Sequence, residues 1–490
     1  MSINIRMIVN ILGIVCFIIG GTMLIGLVCA FIFAEPLMAR VFAALMIVLV
    51  LVGLLILRLS RRPIARQTIK IREGILAVAL CWIFAAILGG LPYLLSGTHH
   101  TFIDAFFEST SCLTTTGATL FENLGDLPKS LLFWRQFSNW LGGLGIIIFA
   151  VSIIPMLGYG AANLATAETT GQSIEKVRAR MSDTAKSILL FFLGLTAICV
   201  ILLRIGGVNT YDSFVIAFGC LGNGGFANYS AGGLLQGSLF VDIVIVVFCV
   251  AASLSFVSYQ LLLKRRVKEF FKEFEIRAFL IMLLIFVGIV FVILLASGVY
   301  NSPAEALRNG LFQVVAFVTT SGYASSDFAV WPQAAHWLMI IAMMIGGCSG
   351  STSGGIKVVR AAVALSLVRR NIYKRLHPNA VVAVKLGDKV VPADRVSSIA
   401  TFVVIYVVIV FGSGFILAFE NLDLETTLGT VIAMLSNTGL VMGPGVGSTG
   451  SFVIFSQFSR IYMALLMIAG RLEIFTIVLL FSPTFWRPYR

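Results

Sequence analysis

The chain has 490 residues, of which 59% are hydrophobic and 12% are charged, and its mean hydropathy is +1.01. This composition excludes an ordinary water-soluble globular protein. Many apolar runs reach the ~20 residues that a helix needs to cross a bilayer, and none shows the alternation of a membrane barrel. The sequence therefore predicts an all-α polytopic membrane protein, with the lipid bilayer as its surroundings.

The net charge of +13 is unevenly distributed along the chain. Alternate connections hold 28 of the 35 basic residues, at 1–6, 58–72, 159–187, 264–277, 357–395 and 484–490. Because basic connections stay on the cytoplasmic side of a membrane, we expect these connections and both termini to be cytoplasmic. The opposite connections are acidic, so a cation would meet a negative mouth outside. Basic residues placed in this way indicate topology, and no nucleic-acid partner is expected.

Taken in order, the chain begins with two apolar helices, at about 7–33 and 37–59. Four successions of a crossing helix, a short half-helix, a glycine-bearing break and a return helix follow. The crossing helices are expected at 73–96, 184–205, 276–299 and 396–419, and the half-helices at 102–112, 211–221, 302–318 and 423–435. The return helices are expected at 134–157, at 240–263, from about 337, and at 452–481.

The predicted fold has ten transmembrane helices and four re-entrant pore helices around one pore. Each half-helix is too short to cross the hydrocarbon, whereas each crossing and return helix is expected to span it. The expected divisions are 1–70 for the two extra N-terminal helices and 71–180, 181–270, 271–390 and 391–490 for the four pore repeats.

Each of the four breaks carries Thr or Asn two residues before a glycine. The glycines recur at intervals of roughly a hundred residues, which indicates a fourfold internal repeat. We call the breaks units 1 to 4, and their candidate ion-binding residues are Thr115, Thr116 and Gly117; Asn223, Gly224 and Gly225; Thr320, Ser321 and Gly322; and Asn437, Thr438 and Gly439.

A half-helix that ends inside the membrane points its negative dipole end at the bilayer centre, where a cation is otherwise poorly solvated. Glycine after it allows positive φ, so that successive carbonyl oxygens can face one axis. Four such segments would replace the water of an ion, as in a potassium filter. A single Thr-x-Gly is more typical of helix packing, but four in register favour a filter. Unit 2 departs from the pattern, since Gly224 stands where the others have Thr or Ser.

With these features the chain resembles the Trk/Ktr/HKT superfamily of potassium transporters over essentially its full length, and its TrkH-type members in particular. The resemblance implies potassium uptake across a bacterial inner membrane, with K⁺ as the transported ion and no nucleotide bound by this chain. It also implies a homodimer docked on a cytosolic TrkA-type nucleotide-binding ring. Glycine at position 117 favours potassium, since relatives with serine there prefer sodium.

A run of small and polar residues interrupts the third return helix, and we call it the glycine–serine loop: Gly346, Gly347, Cys348, Ser349, Gly350, Ser351, Thr352, Ser353, Gly354 and Gly355. Such residues do not hold a straight apolar helix, so we expect a loop that lines the path below the filter. The resemblance implies that this loop is an intramembrane gate. Close helix contact through small residues is the alternative.

Arg471 lies in the last apolar segment, where a charge is costly and typical of a pathway. The resemblance implies that it projects into the pore beneath the filter and touches the loop. The alternative is a buried ion pair with Glu473 or another carboxylate. Arg460 is expected at the outer mouth or paired with a loop acid, and Arg204 at a helix end with its charge near the interface.

Three other functions fit the sequence less well than a channel-like potassium pore. A P-loop ATPase is excluded because Gly355 is followed by Ile356 instead of lysine. An intramembrane serine protease that uses Ser349 would need a histidine on a neighbouring span, and the four histidines, at 99, 100, 336 and 377, lie near segment ends or in loops. A symporter coupled to H⁺ or Na⁺ is the nearer alternative to a channel-like pore.

Overall fold

A computed structural model describes residues 4–60, 71–152, 174–226, 238–447 and 451–486, and side chains are described except at 71, 147–152 and 174–184. Its helices are α1 (Ile5–Ile32), α2 (Pro36–Leu59), α3 (Ile71–Leu95), α4 (Phe102–Leu113), α5 (Lys129–Ser152), α6 (Ile174–Ile205), α7 (Thr210–Gly222), α8 (Leu239–Ser253), α9 (Tyr259–Leu263), α10 (Val267–Lys272), α11 (Phe274–Ser297), α12 (Pro303–Val318), α13 (Gln333–Ile345), α14 (Val358–Leu376), α15 (Ala393–Leu417), α16 (Leu424–Leu435), α17 (Gln457–Arg471), α18 (Phe475–Phe481) and α19 (Pro483–Trp486). A two-stranded antiparallel hairpin, β1 (Lys385–Leu386) and β2 (Lys389–Val390), lies between α14 and α15.

The mostly helical membrane fold that the sequence predicts is confirmed. In the described residues, six helices are long and apolar enough to cross a membrane by length and composition: α1, α2, α3, the apolar part of α6, α11 and α15 with the turn that follows it. A seventh span is counted if α17 and α18, which meet at an angle of 118°, form one crossing.

The two N-terminal helices pack closely against each other. A Cβ atom added at Gly20 of α1 would lie 2.8 Å from Cβ of Leu49, and one at Gly53 of α2 would lie 2.8 Å from the backbone nitrogen of Phe17. Small residues let helix backbones approach within a membrane, where van der Waals contact drives association. Glycine thus builds α1 and α2 into a pair, and this pair also packs on α3 and α5.

The four predicted half-helices are present as α4, α7, α12 and α16, and they lie in the centre of the molecule. Their C-terminal halves are almost entirely buried, whereas the longer crossing helices expose apolar side chains such as Leu284 at 71% and Phe415 at 71%. At 1.5 Å per residue, 12 to 16 residues span roughly 18–24 Å, which is less than the ~30 Å of hydrocarbon.

The return helices differ from the sequence expectation in two places. The second, predicted as a continuous helix over 240–263, ends at Ser253 and resumes as α9 at Tyr259. The fourth, predicted as continuous over 452–481, begins at Gln457 and bends sharply between Arg471 and Phe475. Both breaks keep apolar residues, so hydropathy alone did not reveal them. The predicted interruption of the third return helix is present between α13 and α14.

Candidate functional site

Each of the four short helices is capped at its start by a polar side chain. Thr101, Asn209, Ser302 and Asp423 each accept a hydrogen bond from the backbone N–H three residues later. An acidic residue also lies in every first turn, where it complements the positive helix end. Burial raises the pKa of Asp423, but hydrogen bonds from Thr426 outweigh it and hold the pKa below its usual value. The negative ends of the helices therefore all face the opposite way, toward units 1 to 4.

The same left-handed backbone step follows each short helix. Thr115, Asn223, Thr320 and Asn437 have φ of 56°, 54°, 55° and 54°. Two residues later, the glycines at 117, 225, 322 and 439 also have positive φ, between 47° and 89°. Non-glycine residues seldom adopt positive φ, so its recurrence at four equivalent positions marks one shared conformation. The internal repeat seen in the sequence is therefore a repeat of backbone geometry.

The four units form a closed ring. Each glycine faces the carbonyl oxygen of the residue that precedes the glycine of the next unit. An added Cβ atom would lie only 1.9–2.5 Å from that oxygen, which leaves no room for a side chain. The facing pairs are Gly117 with Gly224, Gly225 with Ser321, Gly322 with Thr438, and Gly439 with Thr116. The structure thus brings the four predicted ion-binding units together, and eight of their twelve residues form these contacts.

Side chains at the left-handed positions hold the units in place through hydrogen bonds. Asn223 donates from Nδ2 to Ser253 Oγ at 3.0 Å and to Thr352 Oγ1 at 2.9 Å. Asn437 donates to Thr116 Oγ1 at 3.0 Å, which ties unit 4 to unit 1. Thr320 Oγ1 accepts from the N–H of Gly354 at 2.8 Å. Three of the four left-handed residues are thus bonded either to a neighbouring unit or to the glycine–serine loop.

The glycine–serine loop lies directly against the break in the second return helix. The N–H of Cys348 donates to the carbonyl of Ser253 at 2.9 Å, and the N–H of Phe256 donates to the carbonyl of Gly350 at 3.1 Å. Thr352 adds bonds from its N–H and its hydroxyl to the carbonyl of Ala252, at 3.2 and 3.0 Å. Two interrupted helices therefore satisfy each other's backbone groups, as irregular backbone inside a membrane requires. The sequence did not indicate that residues 252–258 belong to the site.

Arg471 is 3% exposed and lies at the end of α17, where the fourth return helix breaks. Its Nη1 donates to the carbonyl oxygen of Thr352 at 2.7 Å, and its Nη2 donates to that of Gly142 in α5 at 3.1 Å. Glu473 instead pairs with Arg360 of α14. The predicted contact between Arg471 and the loop is therefore present, and the alternative pairing with Glu473 is absent.

A cavity of about 370 Å³ opens on the side of the loop that faces α17 and α18. Its lining includes Lys357, Arg360 and Arg471 with one carboxylate, Glu473, as well as Asn437 of unit 4. The Lys357 ammonium donates to the carbonyl oxygen of Ser353, and the side chain is 8% exposed. Three positive groups against one negative group make this cavity unfavourable for a cation in the observed arrangement.

The remaining sequence expectations concern Arg460, Arg204 and the histidines. Arg460 pairs with Asp104 in the first turn of α4 at 2.5 Å, in agreement with the predicted partnership with a loop acid. Arg204 donates to the carbonyl of Val208 at the end of α6. Of the histidines, His336 contacts Glu425, His99 stacks on Phe121 and His377 lies against Tyr373. No contact between a histidine and Ser349 is present in the described residues.

The chain is similar to known proteins over nearly its full length. Residues 38–487 match the family described as TrkH, a cation transport protein. The chain is 33% identical to the Trk system potassium uptake protein TrkH of Salmonella typhimurium and to that of Escherichia coli K12, over 98% of this chain and 99% of each relative. It is 30% identical to the Trk system potassium uptake protein TrkG of E. coli K12, over 86% of both chains. The crystal structure of the potassium transporter TrkH from Vibrio parahaemolyticus superposes with a TM-score of 0.90 at 31% identity, over 99% of this chain and 100% of that one.

Proposed function

Because the chain belongs to the TrkH family of cation transport proteins, we propose that it carries out potassium uptake through a channel-like pore. The observation that carries this proposal is the closed ring of units 1 to 4, in which a carbonyl oxygen from each of four parts of one chain lies against the filter glycine of a neighbouring unit. In potassium filters, rings of carbonyl oxygens replace the hydration shell of K⁺, and this coordination underlies the selection of K⁺.

The proposed topology has ten crossings and four re-entrant pore helices, α4, α7, α12 and α16. The pore repeats are 71–180, 181–270, 271–390 and 391–490, and residues 1–70 stand outside them. Both termini are cytoplasmic in a bacterial inner membrane. The acidic first turns of the pore helices support an outer position for the helix starts, because they would attract cations to the mouth.

K⁺ would lose water among the carbonyl oxygens of the four units, where the negative ends of the pore helices also favour a cation. Beneath the units the ion would meet the glycine–serine loop and Arg471, which together form the proposed gate. In the observed arrangement Arg471 binds the loop and adds a positive charge to the pathway. Opening would require the loop to leave Arg471 and residues 252–258. The membrane potential, worth about 2.3 kcal/mol per 100 mV for one charge, would drive entry.

The proposed partners are a second copy of this chain and a cytosolic TrkA-type regulatory ring. Two basic segments, 264–277 and 357–395, are the candidate docking surfaces. The first segment lies close to the gate, since Glu275 accepts a hydrogen bond from the N–H of Ser349 at 2.5 Å. A regulator that moved this segment would therefore act on the loop through the contacts of Glu275 with Cys348 and Ser349.

The test is the reversal potential of purified protein in lipid vesicles with K⁺ and Na⁺ gradients. A value that follows the K⁺ gradient alone would support passive, selective conduction. A value that shifts with the proton or Na⁺ gradient would favour the symporter. Absence of ion flux in vesicles that contain folded protein would contradict both.

A further inference from the structure

A buried ion pair lies behind units 1 and 2. Glu108 of α4 and Arg135 of α5 are 0% and 1% exposed, and Nε of Arg135 lies 2.7 Å from Oε1 of Glu108. The carboxylate also accepts hydrogen bonds from Thr119 Oγ1 at 3.0 Å and from the backbone N–H of Leu120 at 3.0 Å. Glu108 therefore holds the segment that directly follows Gly117.

Arg135 reaches a second unit. Its guanidinium carbon lies 3.8 Å from the centre of the Phe226 ring, and Phe226 directly follows Gly225. A cation over an aromatic ring is attracted to it, more strongly when both are buried. The neighbouring Gln136 donates its side-chain amide to the carbonyl oxygen of Phe226. One ion pair is thus in contact with the segments that follow two adjacent filter glycines.

The four units do not share this arrangement. Glu108 lies nine positions before Gly117, and the residues nine positions before the other filter glycines are Ile216, Gln313 and Thr430. Gln313 reaches the equivalent segment of unit 3 with a longer bond, 3.4 Å from its Nε2 to the carbonyl oxygen of Tyr323. Among these four positions only the first carries a charge, and it is also the one with several bonds to the segment beyond the glycine.

We propose that the Glu108–Arg135 ion pair is a positioning element for the filter, which fixes the carbonyl oxygens of units 1 and 2 and thereby sets discrimination between K⁺ and Na⁺. The inference rests on the proposed function of the units. Neither residue is placed on the axis, so their effect on the ion is transmitted through Thr119, Leu120 and Phe226. A buried ion pair is rigid because separation of its charges is costly in a low dielectric.

The test compares three variants with the wild type in vesicles, by rubidium uptake with and without competing Na⁺. The double variant Glu108→Gln with Arg135→Gln removes both charges, so that no single buried charge is left to prevent folding. Glu108→Asp keeps the charge but withdraws the carboxylate by one methylene from Thr119 and Leu120. The matched control is the double variant Asp242→Asn with Arg308→Gln, which removes another partly buried ion pair, between α8 and α12, that has no described contact with the segments after the filter glycines.

We expect Glu108→Gln with Arg135→Gln to lose about tenfold in K⁺ over Na⁺ discrimination, Glu108→Asp to lose less, and the Asp242 and Arg308 control to match the wild type. In thermal unfolding, K⁺ should raise the unfolding temperature of wild-type protein more than Na⁺ does. This difference should be smaller in the variant with Glu108→Gln and Arg135→Gln. This readout separates a loosened filter from general loss of stability.

Wild-type discrimination in a folded variant with Glu108→Gln and Arg135→Gln would overturn the inference, as would an equal loss in the Asp242 and Arg308 control. If the variant with Glu108→Gln and Arg135→Gln does not fold, unchanged discrimination in Glu108→Asp would overturn it. A wild-type protein without selective K⁺ flux would instead overturn the proposed function, and the inference with it.

Discussion

Arg471 donates a hydrogen bond from Nη1 to the carbonyl oxygen of Thr352, at 2.7 Å, and so joins the broken end of the fourth return helix to the loop that interrupts the third. Thr352 in turn bonds to Asn223 of unit 2 and to Ala252 at the break in the second return helix. Three broken helices and one filter unit therefore meet at Thr352. A change in the position of the loop would therefore alter hydrogen bonds at all of them.

Replacement of Arg471 by alanine should raise rubidium flux. The variant removes a positive charge from the proposed pathway and frees the carbonyls of Thr352 and Gly142 from the guanidinium. Repulsion between two charges about 10 Å apart is on the order of 1–2 kcal/mol at an effective dielectric constant of 20, so an increase of roughly tenfold is expected.

The control is Arg204→Ala, because Arg204 lies at the exposed end of α6 and bonds only to Val208 in the contacts described. Flux in this variant should equal that of the wild type. A reduced flux in Arg471→Ala would show that the guanidinium supports conduction and would contradict its assignment to the gate.

Replacement of Gly322 by serine should weaken discrimination against Na⁺ and reduce K⁺ uptake. Gly322 has φ of +74°, and an added Cβ would lie 2.5 Å from the carbonyl oxygen of Thr438. The strained backbone alone costs about 1–3 kcal/mol, and the carbonyl of Thr438 must also move to make room for the side chain. Rubidium uptake with and without competing Na⁺ measures the change.

The matched control is Gly288→Ser in α11, where an added Cβ has no neighbour within 4 Å. This variant should keep wild-type uptake and selectivity. Unchanged selectivity in Gly322→Ser would count against the filter assignment.

Replacement of Thr352 by valine should loosen the glycine–serine loop with little change in side-chain volume. Valine cannot accept the hydrogen bond from Asn223 or donate one to Ala252. The free energy of unfolding should therefore fall by about 1–2 kcal/mol. We expect a lower unfolding temperature in detergent and a higher flux, since the loop is less firmly held.

Thr401→Val serves as the comparison, because the hydroxyl of Thr401 bonds within its own exposed helix, to Ser397. Its unfolding temperature should change little. Equal losses in the two variants would indicate that Thr352 has no special role in holding the loop.

The stability of the protein should depend on pH through His99, which lies in the loop between α3 and α4. Burial lowers the pKa of His99 below its ordinary 6.5, and the ring stacks on Phe121 at 4.3 Å. Because the folded pKa is the lower one, the unfolded chain binds the proton more readily. The contribution of neutral His99 to the stability of the folded protein is complete above about pH 6.5 and is lost as the pH falls through the folded pKa.

The variant His99→Phe keeps a stacking ring but cannot be protonated, so its unfolding temperature should fall less between pH 7 and pH 5 than that of the wild type. His377→Phe, at an exposed position, is the control and should keep the wild-type slope. An identical slope in His99→Phe would contradict the role given to His99.

The sequence was sufficient to identify the membrane class, the family, the four half-helices and the interruption of the third return helix. These features depend on local composition: apolar length, short segments with polar starts, and glycine at regular intervals. The positive φ at all four predicted positions also follows from local chemistry, since glycine relieves the strain that follows a helix end. The number of crossing helices stays a prediction, because length and composition support six or seven of the ten within the part of the chain that the structure describes.

Only the tertiary structure decided which residues meet. The order of the units around the ring, the breaks at 254–258 and 472–474, and the partner of Arg471 all depend on contacts between residues more than ninety positions apart. Leu254 and Phe256 are as apolar as any helical residue, so hydropathy predicted a continuous helix there. The chain can leave the helix because the glycine–serine loop supplies hydrogen bonds to its backbone. A sequence states each residue's hydrogen-bonding capacity, and the fold alone determines where that capacity is met.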